Sequence, residues 1–120
     1  IARETLPSYG YTSEEIEIIC GMIMATKIPQ VANTKLEKII CDADLDYLGR
    51  DDFHEIADNL RLELRRFEKI HSDRKWDEMQ IDFLTKHRYF TKTAIETRLA
   101  KKVKNTEDVR KKLDQYVYQD

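Results

Sequence analysis

The stretch Thr34-Lys35-Leu36-Glu37-Lys38-Ile39-Ile40-Cys41-Asp42-Ala43-Asp44-Leu45-Asp46-Tyr47-Leu48-Gly49 opens as an ordinary helix and then departs from one. Thr34 followed three residues later by Glu37 is a capping box, in which the hydroxyl and the carboxylate satisfy the first free amides of a helix. Leu36, Ile39, Ile40, Ala43 and Leu48 recur at helical spacing, and Gly49 is a natural stop. Inside this apolar segment stand three carboxylates at alternate positions. Asp42 and Asp46 are four apart and share a helix face, with Asp44 projecting between and across from them. A carboxylate drawn into an apolar segment must be paired, hydrogen-bonded or bound to a cation to stay ionised. Spacing alone leaves two readings open. In one, Asp42 and Asp46 are solvated while Asp44 caps the helix or bridges to Arg50 or Arg61. In the other, one of the aspartates serves a metal or a substrate.

Working outward, the same signals recur. Thr12 and Glu15 form another capping box, opening a helix whose stripe is Ile16, Ile19, Cys20, Ile23 and Met24 and which stops before Pro29. Asp51 is placed to cap a third helix reaching about Ile70, with Phe53, Ile56, Ala57, Leu60, Leu64 and Phe67 as its core stripe. Ser72 or Asp73 opens a fourth, carrying Trp76, Met79, Gln80, Phe83 and Leu84 on one face. After the connector His87-Arg88-Tyr89-Phe90, Thr91 or Thr93 starts a helix whose stripe runs through Ile95, Leu99, Val109, Leu113 and Val117. Asn105-Thr106-Glu107-Asp108 reads as a cap within that stripe, so one bent helix and two consecutive ones both fit. Residues 1–6 read as the last turn and a half of a helix closed by Pro7 and Gly10, and the chain is expected to be a piece of a longer protein. No strand alternation and no repeat interrupts this pattern, so the fold class is all-α, with five to six helices.

Composition narrows the function classes. Charged residues make up 37% of the 120 and hydrophobic ones 41%, with 3 Gly and 2 Pro, too little turn material for a many-stranded fold. A formal net charge of −2 gives no general attraction to nucleic acid or anionic lipid. Lys101, Lys102, Lys104, Arg110, Lys111 and Lys112 make the last segment basic, but Glu107, Asp108 and Asp114 dilute it and no aromatic platform accompanies it. That segment is expected to be a solvated helix face. No run approaches a membrane span, and the expected location is cytoplasmic. Cys20 and Cys41 are expected to be reduced thiols in apolar surroundings.

Elsewhere the sequence completes no catalytic set. His54, His71 and His87 lack the i, i+4 relation of a helical metal pair, and surface or capping roles are expected for them. His87 is placed to meet a helix C-terminus. Trp76, Phe83, Tyr89 and Phe90 fall at core spacing. No nucleophile elbow or phosphate-binding glycine loop occurs.

Ala25-Thr26-Lys27, then Cys41-Asp42-Ala43-Asp44-Leu45-Asp46-Tyr47-Leu48-Gly49-Arg50, with Leu60-Arg61-Leu62-Glu63-Leu64 and Trp76-x-x-x-Gln80-Ile81-x-Phe83-Leu84 behind them, resemble the distal half of an HD-domain metal-dependent phosphohydrolase. The likeness covers most of residues 1–90, which it makes the C-terminal part of an HD-like helical domain whose N-terminal part is missing, with residues 91–120 as a helical extension packed on it. Its core motif is moderately specific, its later helices less so. In that family a divalent metal (Mn, Mg, Fe, Co or Ni) is held by a histidine, an adjacent His-Asp pair and a distant aspartate in an Ala-Asp-Leu context. Asp44 matches that aspartate, and Asp42 does if the alignment slips by two. Many members carry a further histidine for a second metal; its counterpart here is Thr26, which implies a mononuclear site or none.

The resemblance places the first histidine and the His-Asp pair before Ile1. The chain alone is therefore expected to hold no metal and to be inactive, while the complete protein would hydrolyse a nucleotide or other small phosphorylated substrate. Lys27, Arg50 and Arg61 are then candidate phosphate contacts by charge and neighbourhood. A competing reading is a non-catalytic regulatory or assembly module on the same scaffold. Apolar faces left open at residues 16–24 and 36–48 would favour a homodimer or another partner.

Overall fold

A computed structural model describes the backbone of residues 1–119 and the side chains of residues 1–116. Among these residues there is no strand. Six helices follow one another: α1 (Ala2–Thr5), α2 (Ser13–Ala25), α3 (Lys35–Asp44), α4 (Phe53–Arg66), α5 (Asp73–Lys86) and α6 (Lys92–Gln119), with short 3-10 turns at Leu6–Tyr9 and Asp46–Gly49. The all-α expectation holds. The helices form two compact units, Ile1–Leu45 and Asp46–Asp120. Within the second unit α6 packs along α5 and the Asp46–Gly49 turn.

In the first unit α2 packs with α1 and α3. Its N-terminus is the full capping box: the Thr12 hydroxyl accepts the Glu15 amide at 3.1 Å and the Glu15 carboxylate accepts the Thr12 amide at 2.9 Å. At α3 the box is half formed, since Thr34 accepts the Glu37 amide but the Glu37 carboxylate reaches Asn33 instead. α1 ends at Thr5, ahead of Pro7, which lies in the first turn of the 3-10 helix that follows, and Gly10, at φ 89°, closes that turn in the left-handed region. The buried residues here are Ile16, Ala25, Cys41, Asp42 and Leu45. The expected apolar stripes are largely open. Ile23 and Met24 of α2 are exposed, as are Leu36, Ile39 and Ala43 of α3, because so small a unit gives each helix few neighbours against which to bury a face. Both cysteines are free, and the Cys41 thiol donates to the Ala25 carbonyl at 3.2 Å. Burial pushes that thiol's pKa up, with Asp42, Asp44 and Glu37 adding to the effect, so it is an inert packing group.

The segment read as one helix from Thr34 to Gly49 is broken. Leu45 caps α3, and Asp46–Gly49 forms a separate 3-10 turn with Leu48 and Gly49 buried. Gly49 is not a left-handed stop. A Cβ there would lie 2.3 Å from the Arg98 carbonyl oxygen, so the glycine is where the turn and α6 meet.

Three further boundaries and faces differ in the second unit. α4 is preceded by Asp52 without a side-chain cap and ends at Arg66 rather than Ile70, because Glu68 takes a left-handed φ of 56° and turns the chain so that Ile70 is buried. Only the N-terminal half of its stripe, Phe53 and Ala57, is buried; Leu60 and Phe67 are exposed. Ser72 caps α5 as expected, and Trp76 and Tyr89 are core residues. α6 is one helix, begun by the Thr91 hydroxyl, with no cap at 105–108. It buries Ala94, Lys102, Asn105 and Val109, leaving Ile95 and Leu99 44% and 39% exposed. Asn105 sets this rotation. Its amide donates to the carbonyls of Leu48 at 2.9 Å and Arg50 at 3.1 Å, drawing the Asn105 side of α6 inward. The Val117 side chain expected in that stripe lies outside the described residues.

Candidate functional site

Asp44 is the last residue of α3 and its side chain is exposed, while the flanking Leu45 is buried. Its carboxylate accepts the Gln30 side-chain amide at 2.9 Å, and the same nitrogen lies 3.4 Å from the Thr26 carbonyl. The amide oxygen of Gln30 is buried with no hydrogen-bond partner. Asp42 is buried rather than on the surface, because α3 turns its Cys41 side inward. The last turn of α3 contains no basic residue, although two aspartates lie where the helix carbonyls already concentrate negative charge.

The other sequence candidates are divided between the two units. Lys27 follows α2 in the first unit and is exposed. Arg50 and Arg61 belong to the second unit, and both are engaged by carboxylates. Arg50 pairs with Asp52 at 2.9 Å and Asp46 at 4.0 Å, and Arg61 with Asp73 at 3.0 Å and Asp58 at 3.7 Å. Asp46 is no surface group: it is half-buried and receives the Arg98 guanidinium at 2.7 Å. Among the described residues no group of three or more His, Cys, Asp or Glu side chains is arranged to hold a metal ion. Asp44 and Gln30 are hard oxygen donors of the kind Mg²⁺ or Mn²⁺ takes, but two donors fall short of the roughly six such an ion needs.

A second polar feature lies within the Asp46–Asp120 unit, a cleft of about 180 Å³ whose lining includes His54, Arg61, Asp73, Asp77, Lys112 and Tyr116. Asp77, on α5, is only 5% exposed. Gln80 donates to its carboxylate at 3.2 Å, and the Tyr116 phenol hydrogen-bonds it from α6. Burial pushes the Asp77 pKa up, Asp73 adds to this, and Tyr116, Lys112 and Gln80 oppose it. Burial and the neighbouring Asp77 likewise push the phenol of Tyr116 up. A buried carboxyl and a phenol thus line the same small polar opening. Because the folded state keeps the Asp77 proton above the ordinary carboxylate pKa of 3.8, it binds more protons than the unfolded chain as pH rises from that value, and stability falls through that window. Asp77→Asn is expected to remove that slope, measured as urea unfolding free energy from pH 4 upward. Parallel profiles for the two proteins would refute the assignment.

Sequence spacing had paired none of the histidines. His54 lies 3.1 Å from Asp108, 54 positions along the chain, and its hydrogen bond holds the Asp108 carboxyl below the usual range. No local pattern marks such a pair. His87 follows the last residue of α5, where its main-chain amide donates to the Phe83 carbonyl, and its ring meets Tyr89 edge-on at 4.6 Å. Lys102 is not part of a solvated face. It is 5% exposed, its ammonium donating to the His87 carbonyl at 2.7 Å. No helix is long and apolar enough to cross a membrane among the described residues.

Comparison of the chain with protein-family models, with curated proteins and with solved structures finds no match.

Proposed function

We propose that this chain is the aspartate-bearing part of an HD-type metal-dependent phosphohydrolase acting on a nucleotide or other phosphoester, with Asp44 as one ligand of a divalent ion. The observation that carries this reading is the placement of Asp44. A carboxylate at the negative end of a helix, with no basic residue in that turn, is unfavourable by itself and becomes favourable beside a cation. Gln30 fixes its orientation and leaves an amide oxygen without a donor at the same place. When bound, the ion would polarise a phosphate oxygen and lower the pKa of a water. This chain's part is to hold one ligand oxygen, and the ligands the resemblance puts before Ile1 would supply the rest.

The test is hydrolysis of a generic phosphoester with Mn²⁺ by the natural full-length protein, beside its Asp44→Asn variant. At least a tenfold loss in the variant is expected, with unchanged helicity. Equal rates in the two proteins would remove Asp44 from the site. A second reading has its own support: Ile23, Met24, Ile28, Val31, Leu36 and Ile39 are exposed in the first unit, and an apolar surface of this kind suits a partner. Absence of metal-dependent hydrolysis together with a concentration-dependent dimer in ultracentrifugation would favour that assembly role.

A further inference from the structure

We propose that the groove along α6 between Tyr89 and Val103 binds a small amphipathic anion, a carboxylate carried on a short alkyl chain or a single ring, with its charge on the Lys102 and Arg88 side and its body against Ile95, Leu99 and Val103. The groove has a volume of about 410 Å³ and is lined by these residues with Leu84 and the Glu107–Arg110 pair. That size suits a small organic ligand.

The cation is the reason for assigning a ligand. A buried ammonium is normally paired with a carboxylate, because desolvation costs several kcal/mol. Lys102 has no such partner among the described residues. Its contacts are one main-chain carbonyl, that of His87, and the face of the Tyr89 ring at 5.7 Å. Arg88 next to it also has no carboxylate partner among the described residues, its guanidinium donating to the carbonyls of Thr85 and His87. Glu107, the acidic group of the lining, is paired with Arg110 at 3.7 Å. The groove therefore carries uncompensated positive charge. Burial, with Arg88 adding to it, lowers the Lys102 pKa to about 8, so the side chain is still mostly charged at neutral pH.

The apolar half of the site is equally specific. Ile95, Leu99 and Val103 are spaced by four along α6 and form one stripe beside the buried lysine. They are 44%, 39% and 53% exposed, although α6 has other positions at which to bury them. Charge beside a continuous apolar wall selects an anion with an apolar body over free phosphate, which would find no partner for the wall, and over a neutral hydrocarbon, which would leave the charge unmet.

Titration of the full chain with octanoate and with 1-octanol, followed by NMR shifts of α6 amides, tests this. Octanoate is expected to bind at least tenfold more tightly than octanol, with shifts centred on residues 88–103. Lys102→Met should weaken octanoate at least tenfold and leave octanol unchanged, and Leu99→Gln, at an exposed position, should weaken both. Equal affinity for the acid and the alcohol in the unmodified protein would overturn the proposal, even if the lysine variant failed to fold. So would octanoate binding untouched by Lys102→Met, or no shift on α6 at millimolar ligand.

Discussion

Gly49→Ala is expected to lower stability by about 3 kcal/mol or more. The added Cβ would stand 2.3 Å from the Arg98 carbonyl oxygen, 2.8 Å from the Arg98 Cβ and 2.9 Å from the Arg98 carbonyl carbon. Two of those atoms are main chain within a 28-residue helix, and cannot step aside as the end of a flexible side chain would. To fit the methyl, α6 must lift from the Asp46–Gly49 turn, disturbing the Arg98–Asp46 ion pair and the Asn105 hydrogen bonds together. The other helical glycine is the control. At Gly21 an added Cβ would meet only the Glu37 carboxylate, 3.3 Å away and on a flexible side chain, so Gly21→Ala should be neutral or gain up to about 1 kcal/mol from helix propensity. Urea unfolding of the three proteins decides the matter: a lowered midpoint at an unchanged slope is expected for Gly49→Ala alone. Equal midpoints for both variants would show that the turn and α6 are not in contact.

Local chemistry carried much of this fold in the sequence. Hydroxyl caps at Thr12, Thr34, Ser72 and Thr91 each lie where side-chain-to-amide bonds form, because a cap needs only residues three apart. Faces were harder to read, because periodicity identifies a helix without saying which side is covered. On α6 the apolar stripe through Ile95 and Leu99 is the outer one, and the inner line contains Lys102 and Asn105, whose partners, the carbonyls of His87, Leu48 and Arg50, are 15 to 57 positions away. The same limit applies to His54 and Asp108 and to Asp77 and Tyr116. Gly49 was legible as an end of something, but a glycine required by a neighbour's backbone looks, in sequence, like one required by its own φ. Asp44 was legible as a candidate through its Ala-Asp-Leu setting; its hydrogen bond from Gln30, in the loop between α2 and α3, was not.

Asn105→Leu is the counterpart of the glycine change, with an expected loss of roughly 2–4 kcal/mol even though it adds apolar surface at a fully buried position. Asn105 is 1% exposed, and a hydrophobic residue of similar size would ordinarily be tolerated or welcome there. The cost arises on the other side of the contact. The Leu48 carbonyl loses a donor at 2.9 Å, and the Arg50 carbonyl keeps only the longer bond from the Phe53 amide at 3.3 Å. Water cannot replace the amide at so buried a site without opening the packing of α6 on the turn. Asn105→Asp should be at least as damaging, because it sets carboxylate oxygens against two carbonyl oxygens, whereas a role limited to side-chain volume would leave the aspartate variant nearly as stable as the parent. Amide hydrogen exchange supplies a readout that volume would not move: protection should fall at Arg50 to Phe53 and along the centre of α6 in both variants, while the capped first turn of α5 at Ser72 keeps its own. If Asn105→Leu left exchange and unfolding midpoint unchanged, the two carbonyls would have to be satisfied by another donor, and the rotation of α6 that buries Lys102 and opens the Ile95–Val103 groove would need a different cause.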